Sequence, residues 1–198
     1  MSLTIYGPPQ SRSMRALWIA HELGLEFEHH PGFGEDGASA ALLAVNPMGQ
    51  VPAIDDDGFL LTESMAINIY LAKKHALLAP KSLEEEAQTL RWSFWAMTAV
   101  EGTLLDALKK SRGLMGVTQD VAAARADIES LDRPFRVLDA FLADRDYLLG
   151  DEFSVADLNV ASVLSWAAPA GVDFADRPNV AAWLSRCLSR EAAVSARG

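Results

Sequence analysis

The pattern of the chain changes character once, near residue 80, and that change limits the folds open to it. Before it, short runs of strand-forming residues alternate with helical stretches; after it, every periodic stretch is helical. Leu3-Thr4-Ile5-Tyr6 reads as a strand stopped by Gly7-Pro8-Pro9. Residues 13–24 carry Met14, Leu17, Trp18 and Leu23 on one helical face, with Gly24 as the natural stop. Residues 27–30 form a second strand, 31–41 a glycine-rich acidic loop and 40–45 a short helix. Residues 51–54 and 59–61 pair as a hairpin across the Asp55-Asp56-Asp57-Gly58 turn, and a helix runs from Ser64 to about His75. The order is β-α-β-α-β-β-α.

Ala79-Pro80-Lys81-Ser82 reads as a linker. A helical stripe of Ala87, Leu90, Phe94, Met97, Leu104 and Leu108 follows it to about Lys110. A second long helix is predicted over 119–144, kinked by Pro134. Ser154-Val155-Ala156-Asp157 is a capping box, and Pro178 fits the first turn of a further helix. The reading is therefore an α/β domain over residues 1–77 followed by an all-helical domain over 84–198.

Composition removes several function classes. Half the 198 residues are hydrophobic and 22% are charged, which suits a packed core. The net charge of −10 argues against nucleic acid and anionic membranes as partners. There is no apolar run long enough to span a bilayer, and the start does not read as a secretory signal. Cys187 is the single cysteine, so no internal disulfide forms, and a reducing, cytoplasmic compartment is expected. The four histidines lack metal-ligand spacing, so no metal is expected.

Three stretches carry chemistry. Ser11-Arg12-Ser13 lies between the first strand and the first helix. A hydroxyl at a helix start can donate to a bound thiolate and lower the thiol pKa from its usual value of about 8.5. Asn46-Pro47-Met48-Gly49-Gln50-Val51-Pro52 sets a proline directly before a strand, where a cis bond would turn the Val51 N–H and C=O outward to pair with a peptide-like ligand. Glu63-Ser64 opens a helix whose N–H groups and serine hydroxyl can hold a carboxylate, with Glu63 placed to orient an ammonium. Each taken alone reads first as capping or turn formation. Together they fit the parts of γ-glutamyl-cysteinyl-glycine.

At this point the chain resembles the soluble glutathione transferase family. The resemblance rests on residues 46–54 and 61–71, on Arg15-Ala-Leu-Trp with Glu22-Leu-Gly-Leu25, and on Tyr147-Leu-Leu-Gly150 with Phe153-Ser-Val-Ala-Asp-Leu158. It implies a thioredoxin-like first domain, a homodimer, glutathione as co-substrate without a metal, and transfer of a small hydrophobic electrophile to sulfur. By the same resemblance Val51 pairs with the cysteinyl unit, Pro52 is cis, Gln50 reaches the glycine end, and Glu63 and Ser64 take the γ-glutamyl end. Ser11 is the sulfur-contacting hydroxyl, with Ser13 and Tyr6 as alternatives. Pro8, Pro9, Trp95, Leu105 and Met115 are candidate walls for the electrophile. The fold also hosts non-catalytic binding proteins and glutathione-dependent peroxidases, isomerases and dehalogenases. Family members often carry a basic residue between the second strand and the Asn-Pro motif, whereas residues 31–45 here contain no lysine or arginine.

Overall fold

A computed structural model describes residues 2–198. They divide into two compact units, Met1–Ala79 with Ser189–Gly198, and Pro80–Leu188.

The first unit is built on a four-stranded sheet. Strands β1 (Leu3–Tyr6), β2 (Glu28–His30), β5 (Ala53–Asp56) and β6 (Phe59–Thr62) lie in the order β2-β1-β5-β6. β1 and β2 are parallel, joined through α1 (Ser13–Glu22); β1–β5 and β5–β6 are antiparallel. Leu3 and Ile5 alternate inward from β1, and Ala53 and Ile54 are buried on β5. The β5–β6 turn uses Asp57 and Gly58, both at positive φ, with the Asp55 carboxylate accepting from the Gly58 N–H. Helix α1 is buried along residues 13–20 and packs against α3 (Ser64–His75). Gly24 sits at φ 62°, as a glycine stop requires.

The segment 31–41 departs from the loop expected of it. It contains a two-stranded ribbon, β3 (Phe33–Gly34) with β4 (Gly37–Ala38), before α2 (Ala40–Val45), which Ser39 caps through the Leu42 N–H. Strands two residues long show no side-chain alternation, so the pattern gave no sign of them. β5 also begins at Ala53 rather than at Val51, leaving Val51 outside the ladder.

The second unit is helical throughout. α4 (Leu83–Trp95), a π-helical turn at Ala96–Glu101 and α5 (Gly102–Arg112) follow without interruption. Ser82 caps α4 through the Glu85 N–H, while Glu85 accepts from the Lys81 N–H. The helix predicted over 119–144 is two helices, α6 (Val121–Ser130) and α7 (Asp132–Phe141), divided at Leu131. Pro134 therefore occupies the first turn of α7, where its missing N–H has no intrahelical role, and no kink is needed. α8 (Val155–Leu164) is buried along its whole length. α9 (Ala167–Ala170) and α10 (Pro178–Leu188) complete the unit, and Cys187 is buried on α10.

The start of α8 is closed by its own residues. The Asp157 carboxylate accepts from the Ser154 N–H and hydroxyl, the Leu148 N–H and the Trp183 indole. Burial pushes the Asp157 carboxyl above its ordinary value, and these donors oppose that shift.

The second-domain reading ran through residue 198, but the last segment packs with the first unit. α11 (Glu191–Ser195) lies against α1. Arg190 meets the Glu22 carboxylate bidentately at 2.6 and 2.7 Å, and the same carboxylate takes the Trp18 indole N–H. A lone Glu–Arg pair this far apart in sequence leaves no periodic trace.

Candidate functional site

Three stretches of the first unit meet around the ends of β1 and α1. Gly7 ends β1 at φ 121°. A Cβ there would lie 1.9 Å from the Ser13 hydroxyl oxygen and 2.6 Å from the Val51 Cβ, so only glycine lets these two residues flank it. The Gly7 carbonyl lies 2.8 Å from the His29 ring, and its N–H donates to the His30 carbonyl. These contacts fix the loop that follows.

That loop, residues 8–12, presents the two serines differently. Ser13 is fully buried, and its hydroxyl donates to the Tyr6 carbonyl at 3.2 Å. Ser11 is half-buried. Its oxygen accepts from the Ser13 N–H at 3.1 Å, and its single proton is shared between the Pro8 carbonyl at 2.7 Å and the Ser13 oxygen at 3.1 Å. Tyr6 is half-buried at the end of β1, with its ring 5.2 Å from that of His30. Of the three hydroxyls, Ser11 combines access with a donor behind it. Arg12 starts α1 without a side-chain cap.

The Val51–Pro52 peptide bond is cis. Among the described residues, the Val51 N–H and C=O make no hydrogen bond, so both backbone groups of this residue are open beside Gly7. Asn46 holds the approach to it: its amide donates to the Gln50 carbonyl at 2.8 Å, and its oxygen accepts from the Met48 N–H. The Gln50 side chain is exposed.

Glu63 and Ser64 begin α3. Glu63 is exposed and sits at φ 69°, ψ 108°, a region costly for a residue with a Cβ, and its side chain makes no cap. Ser64 is buried, and its hydroxyl accepts from the fully buried Arg15 guanidinium at 3.2 Å. Arg15 follows Ser11 by one turn of α1, so one helix start connects the serine loop to the start of α3.

Sequence reading named Arg15 and Asn46 only as members of motifs and gave neither a contact of its own. The four-residue spacing of Ser11 and Arg15 was visible. Nothing in a helical stripe shows that an arginine points inward. Of the candidate electrophile walls, Pro8 and Pro9 form the half-buried turn before Ser11 in the first unit. In the second unit, Trp95 is half-buried against Trp92, Leu105 is half-buried on α5, and Met115 is 80% exposed at φ 54°. No group of His, Cys, Asp and Glu among the described residues is arranged to hold a metal ion, and no described helix is long and apolar enough to cross a membrane.

The chain matches two family descriptions, "Glutathione S-transferase, N-terminal domain" over residues 1–73 and "Glutathione S-transferase, C-terminal domain" over residues 95–191. It is 34% identical to Glutathione S-transferase 3 of Zea mays, over 96% of this chain and 90% of that protein. It is also 34% identical to Glutathione S-transferase theta-1 of Mus musculus, over 94% of this chain and 82% of the relative. A glutathione-bound theta class glutathione S-transferase structure from Xanthomonas axonopodis pv. citri superposes with a TM-score of 0.88. Its identity is 29%, with 98% of this chain and 96% of that one covered. On sequence and architecture together, the chain belongs to the glutathione S-transferase family.

Proposed function

We propose that the protein transfers a small hydrophobic electrophile to the sulfur of glutathione, with Ser11 activating the thiol. The observation that carries this reading is the open backbone N–H and C=O of Val51, whose side chain shares the surroundings of Gly7 with Ser13, itself in contact with the half-buried Ser11 hydroxyl. The cysteinyl unit of glutathione pairs with the Val51 N–H and C=O as an added strand residue would. The γ-glutamyl carboxylate takes the first N–H groups of α3 and the Ser64 hydroxyl, with the Arg15 charge behind it. Glu63 takes the γ-glutamyl ammonium.

The sulfur then lies at Ser11. The Ser11 proton turns from the Pro8 carbonyl to the sulfur, while the Ser13 N–H holds the Ser11 oxygen. Accepting that bond makes Ser11 a stronger donor. Donation to sulfur favours the thiolate, and each unit by which the thiol pKa falls is about 1.4 kcal/mol of preferential stabilisation. Serine forms no covalent intermediate. The thiol proton is lost to solvent, the substrate's own sulfur attacks the electrophile, and with an aryl halide the C–S bond forms as halide leaves; the protein supplies ionisation and proximity. Homodimer formation and a cytoplasmic location belong to the same reading and are supported by family membership.

Calorimetric titration with glutathione, combined with a conjugation assay on a generic aryl halide, tests the proposal. Binding with turnover that falls about 10-fold or more in Ser11→Ala supports it. Binding without turnover makes the protein a glutathione-binding scaffold. An unchanged rate in Ser11→Ala moves the thiol contact to Ser13 or Tyr6.

A further inference from the structure

We propose that this site takes γ-glutamyl-cysteinyl thiols without reading a carboxylate on their third residue, so that C-terminally amidated glutathione and the bare dipeptide serve as well as glutathione. The inference rests on the glutathione reading above and specifies its substrate class.

The direction of the bound peptide fixes what its third residue meets. With the γ-glutamyl end at Ser64 and the cysteinyl backbone on Val51, the chain continues away from α3, over Gln50 and Gly49. The residues flanking that strip are small or apolar. A Cβ on Gly49 would lie 3.1 Å from the Ala38 Cβ and 3.5 Å from Leu43, and one on Gly32 would lie 3.3 Å from the Val51 side chain.

No lysine or arginine occurs from residue 16 through residue 72. Three cations of the first unit are engaged by other groups: Arg15 by Ser64, Lys74 by Asp56, Arg190 by Glu22. Arg12 starts α1, Lys73 lies in the last turn of α3, and Arg197 lies in the terminal segment. The turn joining β3 to β4 adds the exposed acids Glu35 and Asp36. His30 uses Nδ1 to accept from the Gly32 N–H. Gln50 offers a neutral side-chain amide, while its backbone carbonyl is held by Asn46. A carboxylate on the third residue therefore meets neutral and acidic groups. A site that held it with a cation would favour the carboxylate form roughly 10- to 100-fold.

The test compares kcat/KM for glutathione, its glycine-amide and γ-glutamylcysteine with one aryl halide and the native protein. The three thiols are expected within about threefold of one another. A preference for glutathione over its amide above about 10-fold overturns this proposal and leaves the proposed function standing. Failure of every thiol to bind or react overturns both. Ala38→Lys places a cation beside Gly49 and is expected to raise kcat/KM for glutathione about 10-fold with no change for the amide. An equal gain for both thiols would contradict the assignment of this wall to the third residue. If that variant does not fold, the comparison of thiols on the native protein decides alone.

Discussion

Two helix starts, one in each unit, are finished in opposite ways. α8 opens on Ser154 and Asp157, which satisfy one another, and the Asp157 carboxylate also takes the Leu148 N–H and the Trp183 indole. α3 opens on Glu63, which makes no side-chain cap and holds a strained backbone, and on Ser64 with the Arg15 guanidinium behind it. A helix start whose donors are consumed internally serves architecture. One without a side-chain cap, beside a buried positive charge, suits an anionic ligand. The same local chemistry thus yields a structural joint in one unit and, on the proposed reading, half of a binding site in the other.

The contrast breaks most visibly at the closed end. Asp157→Ala leaves the Leu148 N–H and the Trp183 indole buried without an acceptor, and about 3 kcal/mol or more of stability is expected to go. Urea unfolding reads this, and a loss under about 1 kcal/mol would mean that water or rearrangement replaces the carboxylate. At the open end the cost shifts from stability to binding. Ser64→Ala is expected to raise the glutathione KM about 5- to 10-fold with kcat nearly unchanged, as for a contact equal in ground and transition states. A fall in kcat instead would place Ser64 in the chemistry. The smallest effect sharpens the point about strain. Glu63→Gly removes the Cβ from φ 69°, so the free protein is expected to gain about 1 kcal/mol while glutathione binds several-fold more weakly. A variant that binds as well as the native protein would remove Glu63 from the site.

What the sequence disclosed follows the range of the interactions. Contacts within a few residues were legible: the glycine stop at Gly24, the Asp57–Gly58 turn, the Ser154–Asp157 box, the switch to helix after the linker. The cis bond before Pro52 was one of two readings of a proline standing ahead of a strand, and the family resemblance implied it. Features set by distant partners were not. Arg15 reads as one more helix residue until Ser64 is brought to it. The division at Leu131 is hidden because apolar spacing continues across it, and Pro134 drew attention to the wrong residue. The return of α11 to α1 depends on Arg190 finding Glu22. At the candidate site, the residue types were all visible. Which serine is sealed and which is open depends on the Tyr6 carbonyl lying above Ser13, and that is a tertiary fact.

The pKa of the thiol in the protein–glutathione complex, followed by ultraviolet absorbance of the thiolate in the native protein and in Ser11→Ala, bears most directly on the account. In the native complex it is expected at least one unit below the ordinary thiol value of about 8.5. In Ser11→Ala it should return toward that value with the peptide still bound. The same depressed pKa in both proteins, or an ordinary pKa in the native complex, would contradict the assignment of Ser11.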